Sequence, residues 1–174
     1  MESRVARSEP ASTLIRAATR ADATTIAAIY NHYVLETVVT FEEVAVGAEE
    51  MATRVDDVQA RGLPWLVSAC DGIVVGYAYA GPWKARSAYR HTVESTIYLA
   101  PERAGRGFGR PLYRALLHAV RACGTHAVIG GIALPNAASV ALHEKAGFQA
   151  IGRFSEVGRK FDRWVDVGYW QLVL

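Results

Sequence analysis

The chain has 174 residues, 51% of them hydrophobic, with 19 Lys and Arg against 17 Asp and Glu for a formal net charge of +2. That length and composition fit one folded domain with a sizeable core. The charge is too small, and the Lys and Arg too dispersed, for a nucleic-acid partner. No apolar run is long enough to cross a membrane. Residues 1–12 carry charges but no apolar segment of the signal-peptide kind, so they read as a loose tail ahead of one domain over residues 13–174. Cys70 and Cys123 have no metal or redox spacing. They fit buried thiols in a reducing cytoplasm, with one disulfide left open by the count.

Along the chain, residues 14–18 predict a short strand. Asp22 is placed to cap a helix running to about residue 37, with Ile26, Ile29, Tyr30, Tyr33 and Val34 inward. A second helix is expected over residues 47–61, with Met51, Val55 and Val58 inward and Gly62 at its C′ position. Residues 63–70 and 73–80 read as strands joined by an Asp71-Gly72 hairpin turn, the second broken by Gly81-Pro82. Residues 93–99 form the next strand. Leu112, Tyr113, Leu116, Leu117 and Val120 then recur at helical spacing up to about Cys123. A small strand over 127–132, a helix over 136–146 closed by Gly147, and strands over 148–157 and 164–174 complete the chain. The order β-α-α-β-β-β-α-β-α-β-β predicts an α+β domain with a mixed sheet. There is no internal repeat, low-complexity tract or linker.

Three stretches carry chemistry. The first is Ala104-Gly105-Arg106-Gly107-Phe108-Gly109, between the strand Ser95-Thr96-Ile97-Tyr98-Leu99 and the following helix. Alternating glycines let backbone N–H groups converge, and the helix adds its own unpaired N-terminal donors. That is an anion site of the kind that suits a phosphate or pyrophosphate, or else simply a tight turn. The spacing is not the dinucleotide G-x-G-x-x-G, and Arg110-Pro111 follows Gly109 where a P-loop needs Lys-Ser/Thr. Pro111 is tolerated in a helix's first turn.

The second stretch is Pro135-Asn136-Ala137-Ala138-Ser139, followed by Leu142-His143-Glu144-Lys145-Ala146-Gly147-Phe148. Helix punctuation accounts for Asn136 and Gly147 but not for His143, although a lone helical His is more often a surface or core residue. The third is Gly81-Pro82-Trp83-Lys84-Ala85-Arg86-Ser87-Ala88-Tyr89-Arg90-His91-Thr92-Val93-Glu94-Ser95-Thr96. Lys84, Arg86 and Tyr89 form either a solvated loop or a clasp for a small acid's carboxylate. Glu94 opens an apolar strand, where it is either a strand-end charge or a working carboxylate. His32, His91, His118 and His126 show no paired ligand spacing, so no metal is expected. His118 is expected on the solvent side of its helix and His126 in a turn.

Together the three stretches resemble the GNAT N-acetyltransferase superfamily. Residues 81–96 resemble more narrowly its phosphinothricin N-acetyltransferase branch. So do Tyr30-Asn31-His32-Tyr33, Pro64-Trp65-Leu66-Val67 and Asp166-Val167-Gly168-Tyr169-Trp170-Gln171. The resemblance runs from about residue 14 to the C-terminus. Three positions bear on it: Ala104 stands where the superfamily loop usually has Gln or Arg, with Arg103 or Arg106 as substitute cations. His91 stands where the branch usually has Trp. His143 stands where many of these enzymes have Tyr, and matches the His of this branch.

The resemblance implies a central mixed, mostly antiparallel β-sheet flanked by about four helices. It implies acetyl transfer from acetyl-CoA, with no metal, to the α-amine of a small amino-acid analogue such as phosphinothricin, methionine sulfoximine or methionine sulfone. Glu94 would be the base, acting directly or through a water. His143 would be an acid, a second base or a positioning group. Ile97, Tyr98 and Leu99 would pair with the pantetheine arm and supply an N–H for the developing oxyanion. Ala104, Gly105, Arg106, Gly107, Phe108 and Gly109 would cradle the pyrophosphate, with Asn136 and Ser139 also at the coenzyme. Lys84, Arg86 and Tyr89 would hold the substrate's anionic groups, between walls that include Phe41 and Val167. A cytoplasmic C2 homodimer is expected. Two other readings remain: an enzyme of the same superfamily acting on a peptide or protein N-terminus or a polyamine, which Lys84 and Arg86 would repel, and a non-catalytic acyl-CoA-binding module.

Overall fold

A computed structural model describes residues 13–174. The tail expected over residues 1–12 lies outside the described residues. The elements are β1 (Thr13–Ala17), α1 (Ala23–Glu36), α2 (Ala48–Ala60), β2 (Trp65–Cys70), β3 (Ile73–Pro82), β4 (Thr92–Leu99), α3 (Gly109–Ala122), β5 (Ala127–Leu134), α4 (Ala137–Lys145), β6 (Gln149–Lys160) and β7 (Arg163–Val173). The strands form one sheet in the order β1-β2-β3-β4-β5-β7-β6. Every neighbouring pair is antiparallel except β4 and β5. This is the predicted mixed, mostly antiparallel α+β architecture with four helices.

Side chains alternate across each strand, so the sheet buries two faces. One packs under α1 and α2, around Ile26, Val34, Met51, Val55, Trp65, Val67 and Tyr77. The other packs under α3 and α4, around Leu112, Tyr113, Leu116, Val120, Val128 and Phe148. The apolar periodicity of α3 therefore marks its buried stripe, with His118 exposed on the opposite side. His126 is exposed in the connection that follows. Strand β6 lies at the sheet edge and is exposed along nearly its whole length.

Three expectations are corrected. Gly81-Pro82 does not break β3, which stays paired through Gly81↔Glu94 and Pro82↔Val93. The Ala80 N–H points to β2, donating to Pro64 O at 3.1 Å. A donor at position 82 would point the same way, past the end of β2, so proline loses no ladder bond there. Cys123 is exposed rather than buried, and its thiol faces Gly62 O at 3.3 Å. Both Cys70 and Cys123 are free.

Asp22 does sit at the N-cap of α1, but its side chain makes no cap hydrogen bond to the helix. Both guanidinium nitrogens of Arg16 donate to it at 2.7 Å, and Thr19 N donates at 2.8 Å. These donors, Arg16 foremost, hold the carboxyl down to about 2. A folded-state pKa below the ordinary 3.8 means stability that is present above that value and lost as pH falls through about 2. Asp22→Asn is therefore expected to cost about 2 kcal/mol at pH 7. In urea unfolding, the gap between wild type and variant should narrow as the pH is lowered from 5 towards 2, and a constant gap would contradict this account.

Candidate active site

The site is set by a failure of strand pairing. The parallel ladder of β4 and β5 covers Thr92↔Ala127, Val93↔Val128 and Glu94↔Ile129, and then stops. Beyond it β4 continues to Leu99 paired to β3, and β5 continues to Leu134 paired to β7. The two strands splay, and the wedge between them opens a cleft of about 620 Å³ lined by Glu94, residues 95–99, residues 131–133, the glycine loop and one side of α4. Trp83 N donates to Thr92 O, so the even-numbered residues of β4 direct their main-chain groups to β3. By alternation, the N–H and C=O of Ile97 and the N–H of Leu99 point into the wedge. The Leu99 carbonyl is taken by the Tyr33 hydroxyl at 2.6 Å. An extended ligand with amide groups can add to this open edge like a short extra strand.

At the wide end of the wedge lies the glycine loop. Gly105 and Gly107 have φ of +73° and +91°. A side chain at either would have room but the wrong backbone conformation, so these glycines serve the turn itself. Gly109 differs: a Cβ there would lie 3.4 Å from Leu99 Cδ1, which makes it a packing contact between α3 and β4. The N-cap of α3, Phe108, offers no side-chain cap, and no acidic residue lies in the first turn. The free N–H groups of that turn thus face the cleft without competition, an arrangement that suits an anion.

Ala104, Gly105, Gly107 and Gly109 line the cleft, whereas Arg106 and Phe108 do not. Arg103 packs its guanidinium 6.0 Å above the Phe108 ring. The cations that do line the cleft are Arg110 and Lys145, neither of them among those expected from the loop's sequence.

Glu94 and His143 lie on opposite faces of the sheet. Glu94 shares the face of Thr96 and Tyr98, under α1 and α2. An added Cβ on Gly131 would meet Glu94 Oε1 at 3.0 Å and Tyr169 Cε1 at 3.3 Å. Burial pushes the Glu94 carboxyl up, and the nearby Lys84 ammonium offsets part of that shift.

His143, only 4% exposed, lies on the α3–α4 face. It packs against Tyr113 and Phe148 with ring centroids at 5.0 and 5.1 Å. Its Nδ1 lies 2.8 Å from Ser139 O, an acceptor only, so the ring proton sits on Nδ1 and the Nε2 lone pair is free. Burial pulls its pKa down, so the ring is neutral at pH 7. The ring presses on Gly130, where a Cβ would meet Nε2 at 2.6 Å. Gly130 and Gly131 thus clear space for two side chains on opposite faces.

Asn136 caps α4, accepting from Ser139 N at 3.1 Å, and both residues line the cleft. Ser95 Oγ lies 2.8 Å from Tyr113 Oη and donates to Ile129 O at 3.3 Å, which ties β4, α3 and β5 together beside the split. Lys84 lies over the Trp83 ring at 4.7 Å. Arg86 and Tyr89 are on the exposed connection around the turn Ser87–Tyr89 and do not line the cleft. Val167 is opposite Ala133, on Glu94's face, and Phe41 covers Gly158 farther along it; both lie outside the cleft lining. The sequence does carry a signal for this in β5, since two adjacent glycines inside a strand mark a close approach.

Comparison with known proteins fits this geometry. The family described as acetyltransferase (GNAT) domain matches residues 15–168. A phosphinothricin N-acetyltransferase of Streptomyces viridochromogenes is 43% identical over 157 residues, covering 90% of this chain and 85% of that protein. An L-methionine sulfoximine/L-methionine sulfone acetyltransferase of Salmonella typhimurium is 39% identical over 160 residues, covering 92% and 94%. The acetyltransferase yncA of Salmonella typhimurium, solved with its cofactor acetyl-CoA, superimposes with a TM-score of 0.91 at 39% identity, covering 93% of this chain and 94% of that one. A wedge of this shape, with an anion-suited loop at one end and a half-buried carboxylate at the other, is thus found in a chain that belongs to the GNAT acetyltransferases.

Proposed function

We propose that this chain transfers the acetyl group of acetyl-CoA to the α-amine of a small amino-acid analogue of the phosphinothricin, methionine sulfoximine or methionine sulfone type. The observation that carries this reading is the placement of Glu94 and the glycine loop at opposite ends of one wedge. The diphosphate rests on the N–H groups of Gly105 and of residues 107–110, the Arg106 N–H being taken by Arg103 O, and is joined by Arg110 and Lys145 as the cations there. The pantetheine arm runs along Ile97 and Leu99, bringing the thioester to the apex beside Glu94 and Gly131. Names of relatives support both halves of this reading: yncA was solved with acetyl-CoA, and two relatives are named for these amino-acid analogues.

An α-ammonium, with a pKa of about 8, has no lone pair to attack with at neutral pH. Glu94, its pKa raised by burial, is matched to take that proton, directly or through a water. The neutral amine attacks the thioester carbon, and a strand N–H facing the wedge stabilises the oxyanion. The nitrogen of the tetrahedral intermediate is again positively charged and has a proton to lose as the thiolate departs. His143 is a poor acid for that thiolate. Its only ring proton is committed to Ser139 O, and burial opposes the imidazolium. We assign it as a neutral positioning group, held by Ser139 O and packed on Gly130, whose Nε2 can accept only from the S–H of product CoA. Holding amine and thioester together removes the need for a covalent enzyme intermediate, and neither Cys70 nor Cys123 lines the cleft.

The partner best suited to this chain is a second copy of itself. Among the described residues, the edge strand β6 has no partner on its outer side, and Ile151 and Val157 on it, Phe161 in its turn and Trp164 on β7 are all more than half exposed. A C2 pair covers this strip symmetrically. Val157→Glu with Trp164→Glu should shift the chain to a monomer in sedimentation. A wild-type chain already monomeric at micromolar concentration would reject the dimer.

Release of CoA over a panel of amines tests the reaction. Glu94→Gln should lower kcat by about 10²-fold or more, with acetyl-CoA Kd unchanged. In wild type, kcat should rise with pH through a midpoint above the ordinary glutamate value of 4.5, and that limb should vanish in Glu94→Gln. His143→Phe, which keeps the ring packing, should retain the limb at reduced kcat. A limb that follows His143 instead of Glu94 would overturn these roles.

A further inference from the structure

On Glu94's face of the sheet the wedge is bridged by chain that belongs to neither of its strands. On leaving α1, residues 38–41 cross from one half of the split sheet to the other. Helix α1 packs on the β2–β4 half, with Tyr30 in the cluster that holds Trp65, Tyr77 and Tyr98. Val38 instead clusters with Ala133 on β5 and Val165 on β7. Phe41 covers Gly158 on β6, where a Cβ would run into its ring. Between these two contacts Val39 lines the cleft, as does Ala133.

Polar bonds fix this segment from both sides of the crossing. From α1, the Tyr30 hydroxyl lies 2.8 Å from Thr40 Oγ1 and donates to Glu42 Oε1 at 2.9 Å. The Asn31 side chain accepts from Val46 N at 2.8 Å and donates to Val46 O at 2.9 Å. From the far half, Lys160 at the end of β6 donates through Nζ to Thr40 O at 2.8 Å. Lys160 is 1% exposed within a single copy of the chain, so this bond is complete without a second copy. An ammonium in such a place costs desolvation that an apolar side chain would not. The Glu43 and Glu42 carboxylates offset part of that cost. Packing alone would be served as well by an apolar chain of the same length. What the lysine adds is a fixed distance between β6 and Thr40.

We infer that Lys160 is a positioning residue: through Thr40 O it ties residues 38–41 across the split and fixes where the Val39 wall stands relative to Glu94. This rests on the reading of Glu94 as the base of an α-amine acetyltransferase. Lys160 itself lies outside the cleft lining, so it acts only through the segment that it holds. That segment walls the side from which Glu94 meets the amine. The coenzyme is held elsewhere, along Ile97 and Leu99 and at the glycine loop. Loss of the tie therefore falls on the amine and spares the coenzyme. A near-attack geometry is sensitive to such a shift, since small misplacements of a reactant are expensive in rate.

The test compares wild type, Lys160→Met and Lys160→Gln by release of CoA, with methionine sulfone, methionine sulfoximine and phosphinothricin as amines. Met and Gln are close in size, but only Gln has an N–H to offer Thr40 O. Lys160→Met should raise KM for the best of these amines by about tenfold or more. Its kcat should change less than the KM does, and the Kd of acetyl-CoA should stay as in wild type. Lys160→Gln should recover most of the lost KM. Gly158→Ala leaves Lys160 in place and pushes the Phe41 ring off β6. It should raise the same KM, and the double variant should show less than the product of the two effects, because both act on one segment. If Lys160→Met does not fold, Lys160→Gln and Gly158→Ala decide, and an unchanged KM in Gly158→Ala overturns the inference. So does an unchanged amine KM in a folded Lys160→Met, a loss shared by the Kd of acetyl-CoA, or a Gln variant no better than Met; each leaves the acetyltransferase reading intact. Release of CoA by wild type with none of the three amines overturns both.

Discussion

The end of parallel pairing at Glu94↔Ile129 is the constraint on which the site depends. Up to that pair β4 and β5 are neighbours in a continuous sheet. Beyond it each keeps only its outer partner, and the inner edges are left with open hydrogen-bonding groups. Such an edge inside a domain is a cost unless something covers it. Here the edge faces a cleft long enough to reach from the glycine loop to Glu94. Each main-chain bond that a ligand makes there is worth about 1 kcal/mol net. The larger gain is in aim, since an added strand has one register and delivers its end to one place.

The split also explains why two chemically different groups approach the same point without meeting. Glu94 belongs to the face under α1 and α2, and His143 to the face under α3 and α4. Adjacent glycines in β5 admit one to each side. The carboxylate, with the Lys84 ammonium near it, is the group to which the proposed reaction brings a small amine. The imidazole looks into the interior, held by Ser139 O and flanked by Tyr113 and Phe148. Burial acts in opposite senses on the two, raising the acid and lowering the base, because in both cases it penalises the charged form. In the proposed reaction, that suits one face to accept a proton and the other to stay neutral.

Much of this was legible in the sequence. The element order, the turn at Asp71-Gly72, the cap at Asn136 and the buried stripe of α3 all follow from local rules that the tertiary structure does not override. The glycine loop was legible because positive φ at Gly105 and Gly107 is a backbone demand that only glycine meets cheaply. What was not legible depends on neighbours distant in sequence. Pro82 continues a strand because β2 ends at Trp65. Asp22 turns from its helix because Arg16 lies alongside. Arg103 and Arg106 were the cations nearest the loop in sequence, but Arg110 and Lys145 are the ones that reach the cleft. Side-chain direction at a helix start is fixed by the turn of the helix, not by distance along the chain.

The most direct test of this account is a crystal structure with acetyl-CoA or a non-hydrolysable thioether analogue. The diphosphate should lie on the N–H groups of Gly105 and of residues 107–110, with the pantetheine amides paired to Ile97 and Leu99. The acyl carbon should then sit in the split, between the Glu94 face and Gly130. A coenzyme bound outside the wedge, or β4 and β5 zipped together past Ile129, would contradict it.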